Sequence, residues 1–420
     1  EQIVLLDSTG NSADEVTYHD RGRWPGYANG GHSSLELIDR DADNSIAESW
    51  AASNESARSD WVNISYSGQA TNIGNDPREY NEFLFGLLES GEILIDDVSV
   101  IENPGTPDAR QLIQNSDFSA DSLGDSPAKW RIIGNHKSVV TTDPKDPSNR
   151  VLHVTTTGPT EHMHNNAGTT LKDGNDFVSI NGQSTYEISF RAKWLAGSNQ
   201  LHTRLYFNRL ARKHLLPTTE SVGTPGLPNS MRIENAGPTF SKMQHWPAVP
   251  NSEQPVTVSV SSSDPDGIDH VTLKYSVNGR SFQSVAMTAM DNRFVGEIPA
   301  ADDGRVVQFF VEATDLAGAT STFPAKGEDS RALYKVSDGR AANPNSLTVR
   351  IIMTPADASL LHSRTNVMSN DRLRGTLVVN DEEIYHDVQI KLKGAQRIRS
   401  NANRVGFNIK LDPENKFRGE

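Results

Sequence analysis

The chain has 420 residues, with 54 acidic against 40 basic side chains and a net charge of −14. That length exceeds one ordinary core and implies roughly two to four domains, while the acidic excess argues against a nucleic-acid or anionic-membrane partner for the whole chain. Cysteine is absent, which excludes disulfides, thiolate zinc sites and cysteine nucleophiles.

No run approaches the roughly 20 apolar residues that cross a bilayer, and no signal peptide is present. The chain begins at Glu1 inside an apolar strand pattern, Ile3 to Leu6, and reads as an internal fragment. Short alternating runs sit between Gly, Pro, Asn and Asp clusters, which predicts an all-β fold, a string of β-sandwich and jelly-roll modules. Short helices are expected only over residues 76–89 and 354–361, the second capped by Thr354 with Pro355 in its first position.

Residues 1–53 read as strand, turn and strand. The order Asp14-x-Val16-x-Tyr18, Trp24-Pro25, Gly31, Ser34-Leu-Glu-Leu37 and Trp50 resembles the C-terminal half of a lamin-tail domain. Residues 54–108 hold two strand patterns, 61–68 and 91–101, and are taken as a partial β-module that closes in a Pro/Gly linker at 103–108. The second pattern resembles the last strand of galactose-binding-like jelly rolls, but about 50 residues are too few for a complete one. Residues 109–220 open with Asn115-x-Asp117-Phe118 and Trp130 and resemble a jelly-roll carbohydrate-binding module. A linker over 221–237 follows. Period-two alternation at 255–260, 271–277 and 306–313 makes residues 238–338 resemble an immunoglobulin or fibronectin-type sandwich.

The last part, 346–420, carries Asp387-Val-Gln-Ile-Lys-Leu-Lys-Gly394, Val405-Gly-Phe-Asn-Ile-Lys-Leu-Asp412 and Phe417-Arg-Gly419. These strands, joined by an Arg-rich loop, resemble the start of a CotH-type kinase domain, which implies a truncated α+β part at the end of the all-β string.

Four constellations could carry chemistry. On the strand from Tyr186 to Trp194, period two puts Glu187 and Arg191 on the polar side; on the next, from Gln200, it puts His202, Arg204 and Tyr206 there. Paired strands would align these into a glycan-binding patch with Tyr206 as the stacking ring, or into an ordinary solvated sheet face. Trp130 and Trp194 are expected in the core. Asp264, Asp266, Asp269 and Asp315 could give carboxylate oxygens to calcium, or simply serve the β-turns their neighbours specify; Asp96 and Asp97 carry the same two readings. Glu161-His-Met-His164 is read as a polar loop in preference to a metal site. Val388, Ile390 and Leu392 point one way and Gln389, Lys391 and Lys393 the other. A kinase needs a strand-borne lysine to neutralise nucleotide phosphates, and Lys393 and Lys410 are the candidates, with a solubilised edge strand as the bland alternative. Arg397, Arg399 and Arg404 are read either as an anion-binding loop or as solvated. No catalytic residue can be assigned.

The order of modules resembles large exported bacterial proteins in which sugar-binding and adhesive β-modules precede a CotH kinase-like domain. By that resemblance the parent protein would act extracellularly or at the cell surface. Its partners would be a carbohydrate or cell-surface polymer and secreted protein substrates, and ATP with a divalent metal would serve only the complete kinase-like domain. The alternative is a non-catalytic structural or adhesive surface protein.

Overall fold

The computed structural model describes residues 1–72, 80–161, 164–340, 345–394, 399 and 405–419. Residues 76–79 of the first expected helix, His162 of the two-histidine stretch, and Arg397 and Arg404 of the arginine loop lie outside that set. With 47% of its residues in strands and 7% in helices the protein is all-β, and its sheets are antiparallel.

Residues 1–53 form two small hairpins, Gln2–Leu6 with Ser12–Thr17 and Leu35–Leu37 with Trp50–Ala52. Val16, Trp24 and Ala47 make their core, with Tyr18, Leu35 and Trp50 packed against it.

The boundary expected at residue 108 falls inside one sandwich. Strand Gly91–Glu102 lies between Asp146–Thr156 and Thr185–Gly197, and Val62–Gln69 closes the far edge of the same sheet. The opposing sheet runs Leu210–Leu215, Gln200–Leu205, Glu82–Leu87, Asn166–Thr170, Trp130–Ile133. The physical reason is burial. Gly91–Glu102 is covered on both faces over much of its length, so it needs a neighbour on each side that a 50-residue module could not supply. The expected Pro/Gly linker at 103–108 is a turn that brings Arg110–Gln111 back onto the same strand.

The helix expected over 76–89 is, within the described residues, strand Glu82–Leu87. Phe83 and Phe85 point into the sandwich core together with Trp130 and Trp194, while Leu84, between them, is buried on the outside. A helical reading cannot bury consecutive residues on both sides of a thin layer. The other expected helix is present as Pro355–His362, where the Thr354 hydroxyl accepts from the Asp357 amide at 3.1 Å.

Residues 239–336 form a second sandwich, one sheet ordered Thr239–Trp246, Val256–Ser263, Arg293–Ile298, Thr288–Met290, the other centred on Ile268–Val277 and Val306–Asp315. Val258, Val260, Leu273, Phe309 and Val311 fill it. A four-stranded sheet, Val349–Ile352, Leu373–Val379, Glu383–Lys393, Gly406–Lys410, ends the chain. It packs on the second sandwich through Ala248 and Leu333 against Ile352 and Val378. The 221–237 segment is held to the N-terminal module: Thr224 and Ser230 donate to Glu36, each at 2.8 Å, and the Ala236 amide donates to Asp39 at 2.9 Å.

Candidate metal centre and charged faces

Of the four aspartates expected to bind a cation, three converge. Asp264, Asp266 and Asp315 offer carboxylate oxygens within 4.8 Å of one another. Two turns bring them together. In Asp264-Pro-Asp-Gly267 the Gly267 amide closes on the Asp264 carbonyl at 3.1 Å, and φ of +88° at Gly267 is a conformation that glycine adopts without strain. Asp315 ends strand Val306–Asp315 and pairs with Ile268, so strand register places it beside that turn. Asp269 does not join them: it is exposed and pairs with His270 at 2.7 Å.

The electrostatics of the trio are uneven. Burial, then repulsion from Asp315, Asp266 and Asp39, raises the Asp264 carboxyl above its usual range. Burial also works to raise Asp315, but hydrogen bonds from Asn235, at 2.8 Å, and from the amides after it hold that carboxyl low. Such a set, all oxygen and strained by its own negative charge, fits a hard cation such as calcium, which takes carboxylates, carbonyls and waters as ligands. The sequence reading missed Asp39 and Asn235. They come from the N-terminal module and the 221–237 segment, and no local signal connects them to residue 315.

The proposed glycan patch is not one surface. The expected pairing of its two strands is overturned, because Thr185–Gly197 and Gln200–Leu205 belong to opposite sheets of the first sandwich. The chain crosses from one layer to the other at Gly197, where φ is +67° and a side chain would meet the Gly91 Cα at 2.6 Å. Tyr186, Ile188, Phe190, Ala192, Trp194, Leu201, Thr203 and Leu205 are buried as expected. Phe207, expected inward, is exposed and Tyr206, expected outward, packs against the core, because the strand ends at Leu205 and a 3-10 turn follows. Glu187 and Arg191 therefore lie on the outside of one sheet, and His202 and Arg204 on the outside of the other.

Arg191 is the centre of a charge cluster. It pairs with Asp96 at 2.6 Å and with Asp97 and Asp143 at 3.2 Å, and stacks over Trp61 with its guanidinium carbon 4.4 Å from the ring centre. Asp96 and Asp97 thus already hold a cationic partner, the guanidinium. Arg204 is buried. It donates to the His202 Nδ1 at 2.9 Å and to the Glu161 carbonyl, and burial brings its pKa down to about 10. Tyr206 stacks on Tyr80 at 4.5 Å.

In the last sheet the expected alternation holds: Val388, Ile390 and Leu392 are buried, and Lys393 is exposed on the other face. Register places Asn408 opposite Lys391, Gly406 opposite Lys393 and Lys410 opposite Gln389, so the three lysines share one face. Arg372 reaches the Asn408 carbonyl at 3.3 Å, and Lys391 reaches the Asn370 side chain at 3.2 Å. Burial, then repulsion from Arg372 and Arg399, lowers the Lys391 pKa.

No family model and no curated protein matches the chain. Solved structures overlap with it, among them two from bacteria. One is dimeric latent PorU from Porphyromonas gingivalis, with 11% identity over 83% of this chain and 29% of that one, at a TM-score of 0.19. The other is a Ca2+-stabilized adhesin with which an Antarctic bacterium binds ice, with 15% identity over 83% and 86% of the two chains, at 0.17. The chain thus spans under a third of the length of PorU, and overlaps at such scores define no common arrangement. Among the described residues no helix is long and apolar enough to cross a membrane.

Proposed function

We propose that this chain is part of an extracellular or cell-surface modular β-protein whose sandwiches attach to a carbohydrate or other surface polymer, with calcium fixing the junction between the N-terminal module and the second sandwich. The observation that carries this reading is the convergence of Asp264, Asp266 and Asp315, close enough to Asp39 for its charge to raise Asp264. A bound cation would relieve repulsion contributed from both modules, and so would stiffen their relative orientation. Calorimetric titration of the whole chain with calcium tests it. Saturable binding that Asp315→Asn removes and Asp269→Asn leaves intact supports the centre; no heat, or equal binding by Asp315→Asn, refutes it. Polymer attachment would rest on Glu187 and the exposed edge of Arg191 on one face, or on His202 on the other, where Arg204 is buried and Tyr206 packs against the core. A glycan array with Glu187→Ala and His202→Ala separates the two.

A second reading is favoured by the cationic face of the last sheet. Lys391, Lys393 and Lys410 beside Arg372 suit a phosphate-bearing ligand, in line with the resemblance of residues 346–420 to the start of a CotH-type kinase domain and of residues 1–53 to part of a lamin-tail domain. On this reading Lys393 and Lys410 would contact nucleotide phosphates in the complete domain, which would also need a divalent metal and would act on secreted proteins. Binding of ATP and of inorganic polyphosphate, compared in wild type and in Lys393→Gln/Lys410→Gln, tests it. Loss of both ligands together supports a general phosphate face. Unchanged weak binding leaves the non-catalytic adhesive protein as the better account.

A further inference from the structure

Two imidazoles meet where the second sandwich packs on the C-terminal sheet. His245, on strand Thr239–Trp246, is buried, and its Nδ1 lies 3.3 Å from the Nε2 of His386, on strand Glu383–Lys393. The ring centres are 5.1 Å apart. Phe309 stands edge-on to both, at 5.6 and 5.4 Å, and Tyr334 lies 5.4 Å from His245. Beside them lie the apolar contact of Ala248 and Leu333 with Ile352 and Val378 and the polar contacts that Arg331 makes with Asp357 and Asp387 and the Leu333 amide with Thr376.

The chain of hydrogen bonds through this pair is one proton short. His245 Nε2 faces the Ala248 carbonyl at 3.5 Å, and His386 Nδ1 faces the Thr376 hydroxyl at 3.5 Å. That hydroxyl already donates to the Arg331 carbonyl and accepts from the Leu333 amide, each at 2.9 Å. Two neutral rings carry two N–H groups for three contacts. One added proton would fill the chain, but would place an imidazolium against Phe309 and Tyr334. A second would set two N–H groups head to head across 3.3 Å.

The surrounding charges are paired with one another and not with the two rings. Asp387, next to His386, binds Arg374 and the Arg331 amide. Arg331 pairs with Asp357, and Lys335, next to Tyr334, pairs with Asp338. Gln308, next to Phe309, donates to the Glu328 and Ser330 carbonyls. Among the described residues no carboxylate bonds either ring. Burial accordingly lowers the His245 pKa to about 4 and puts that of His386 well below the usual histidine value.

We propose that the His245–His386 contact is an acid-opened latch between the second sandwich and the C-terminal sheet. The sign follows from linkage. The closed state holds both rings neutral, whereas separated modules expose rings that titrate near 6.5, so the open state binds more protons. The closed state is therefore favoured in full above pH 6.5 and loses ground as pH falls toward 4. The proposal is independent of calcium or polymer binding.

Because the chain has no cysteine, two labels can be placed cleanly with Ser284→Cys and Glu382→Cys, both exposed and one on each module. The label-to-label distance in the intact chain should lengthen and broaden reversibly between pH 6.5 and 4, with circular dichroism unchanged. In His245→Phe/His386→Leu the distance should stay at its neutral-pH value through that range. His386→Gln alone, which keeps a donor and an acceptor but does not titrate, should move the midpoint at least tenfold in proton concentration toward acid. A wild-type distance that is constant down to pH 4 with native dichroism overturns the latch, and so does opening of the folded variants at the wild-type pH.

Discussion

The indole of Trp24 donates from Nε1 to the Glu414 carboxylate at 2.7 Å, joining the first module of the chain to its last. Arg23 binds the same glutamate, pairs with Glu48 at 3.0 Å and approaches Asp412 at 3.5 Å. One arginine–tryptophan dipeptide therefore anchors the C-terminal sheet against the N-terminal hairpins. Glu414→Ala should lower unfolding stability by about 1–2 kcal/mol, the scale of a partly exposed charge-assisted hydrogen bond. Glu414→Gln, which keeps an acceptor for Trp24, should lose less. Chemical denaturation followed by tryptophan fluorescence measures both.

The asymmetry of the carboxylate centre predicts opposite effects with and without metal. Asp39→Asn removes a charge that repels Asp264, so the calcium-free protein should gain in thermal midpoint while the rise on adding calcium shrinks. Because the Asp264 carboxyl is raised, its protonation competes with the cation earlier than an ordinary aspartate would. Calcium affinity should accordingly weaken as pH falls into the carboxylate range. Thermal unfolding with calcium and with chelator, repeated across pH, checks both.

Arg191 neutralises two almost wholly buried carboxylates. Asp96 and Asp143 keep 2% and 4% of their side-chain surface, and removing the guanidinium would strand them. Arg191→Ala should cost about 3–5 kcal/mol, the range for breaking one side of a buried ion pair. Urea denaturation should show this as a lower midpoint at unchanged slope. If the cost is below about 1 kcal/mol, the cluster is a solvated surface network.

His136 gives the first sandwich a pH dependence of its own. It is buried, its Nε2 has no partner among the described residues, and burial, followed by repulsion from Arg204, lowers its pKa to about 3. The folded state keeps this ring neutral while the unfolded chain protonates it below 6.5. Stability from this group is thus intact above pH 6.5, falls as pH drops, and is gone near pH 3. The total is at most about 5 kcal/mol, since one pKa unit is worth about 1.4 kcal/mol. His136→Gln should flatten that slope in denaturation midpoints taken from pH 7 to 4.

Much of the local structure was legible. Alternation fixed which residues of Tyr186 to Trp194 point inward, and Thr354-Pro355 announced the helix Pro355–His362, because pleat and capping act over a few residues. The failures were non-local. Glu82–Leu87 looked able to be helical because its apolar residues are consecutive, and only a neighbour on each face makes such a run a strand. The boundary at 108 failed because a Pro/Gly turn inside a hairpin and a linker between modules have the same composition.

The sequence alone settled the all-β class, the absence of disulfides and the inward face of Tyr186 to Trp194, and it named three aspartates that the fold brings together. Tertiary structure decided which strands share a sheet, and thereby separated Arg191 from Arg204. It also brought Asp39 to Asp264, Asn235 to Asp315, His245 to His386 and Glu414 to Trp24. Side-chain direction within a strand is set by covalent geometry and hydrophobic burial over a few residues. Proximity between residues hundreds of positions apart depends on how whole layers pack, and period-two patterns are nearly degenerate with respect to partner.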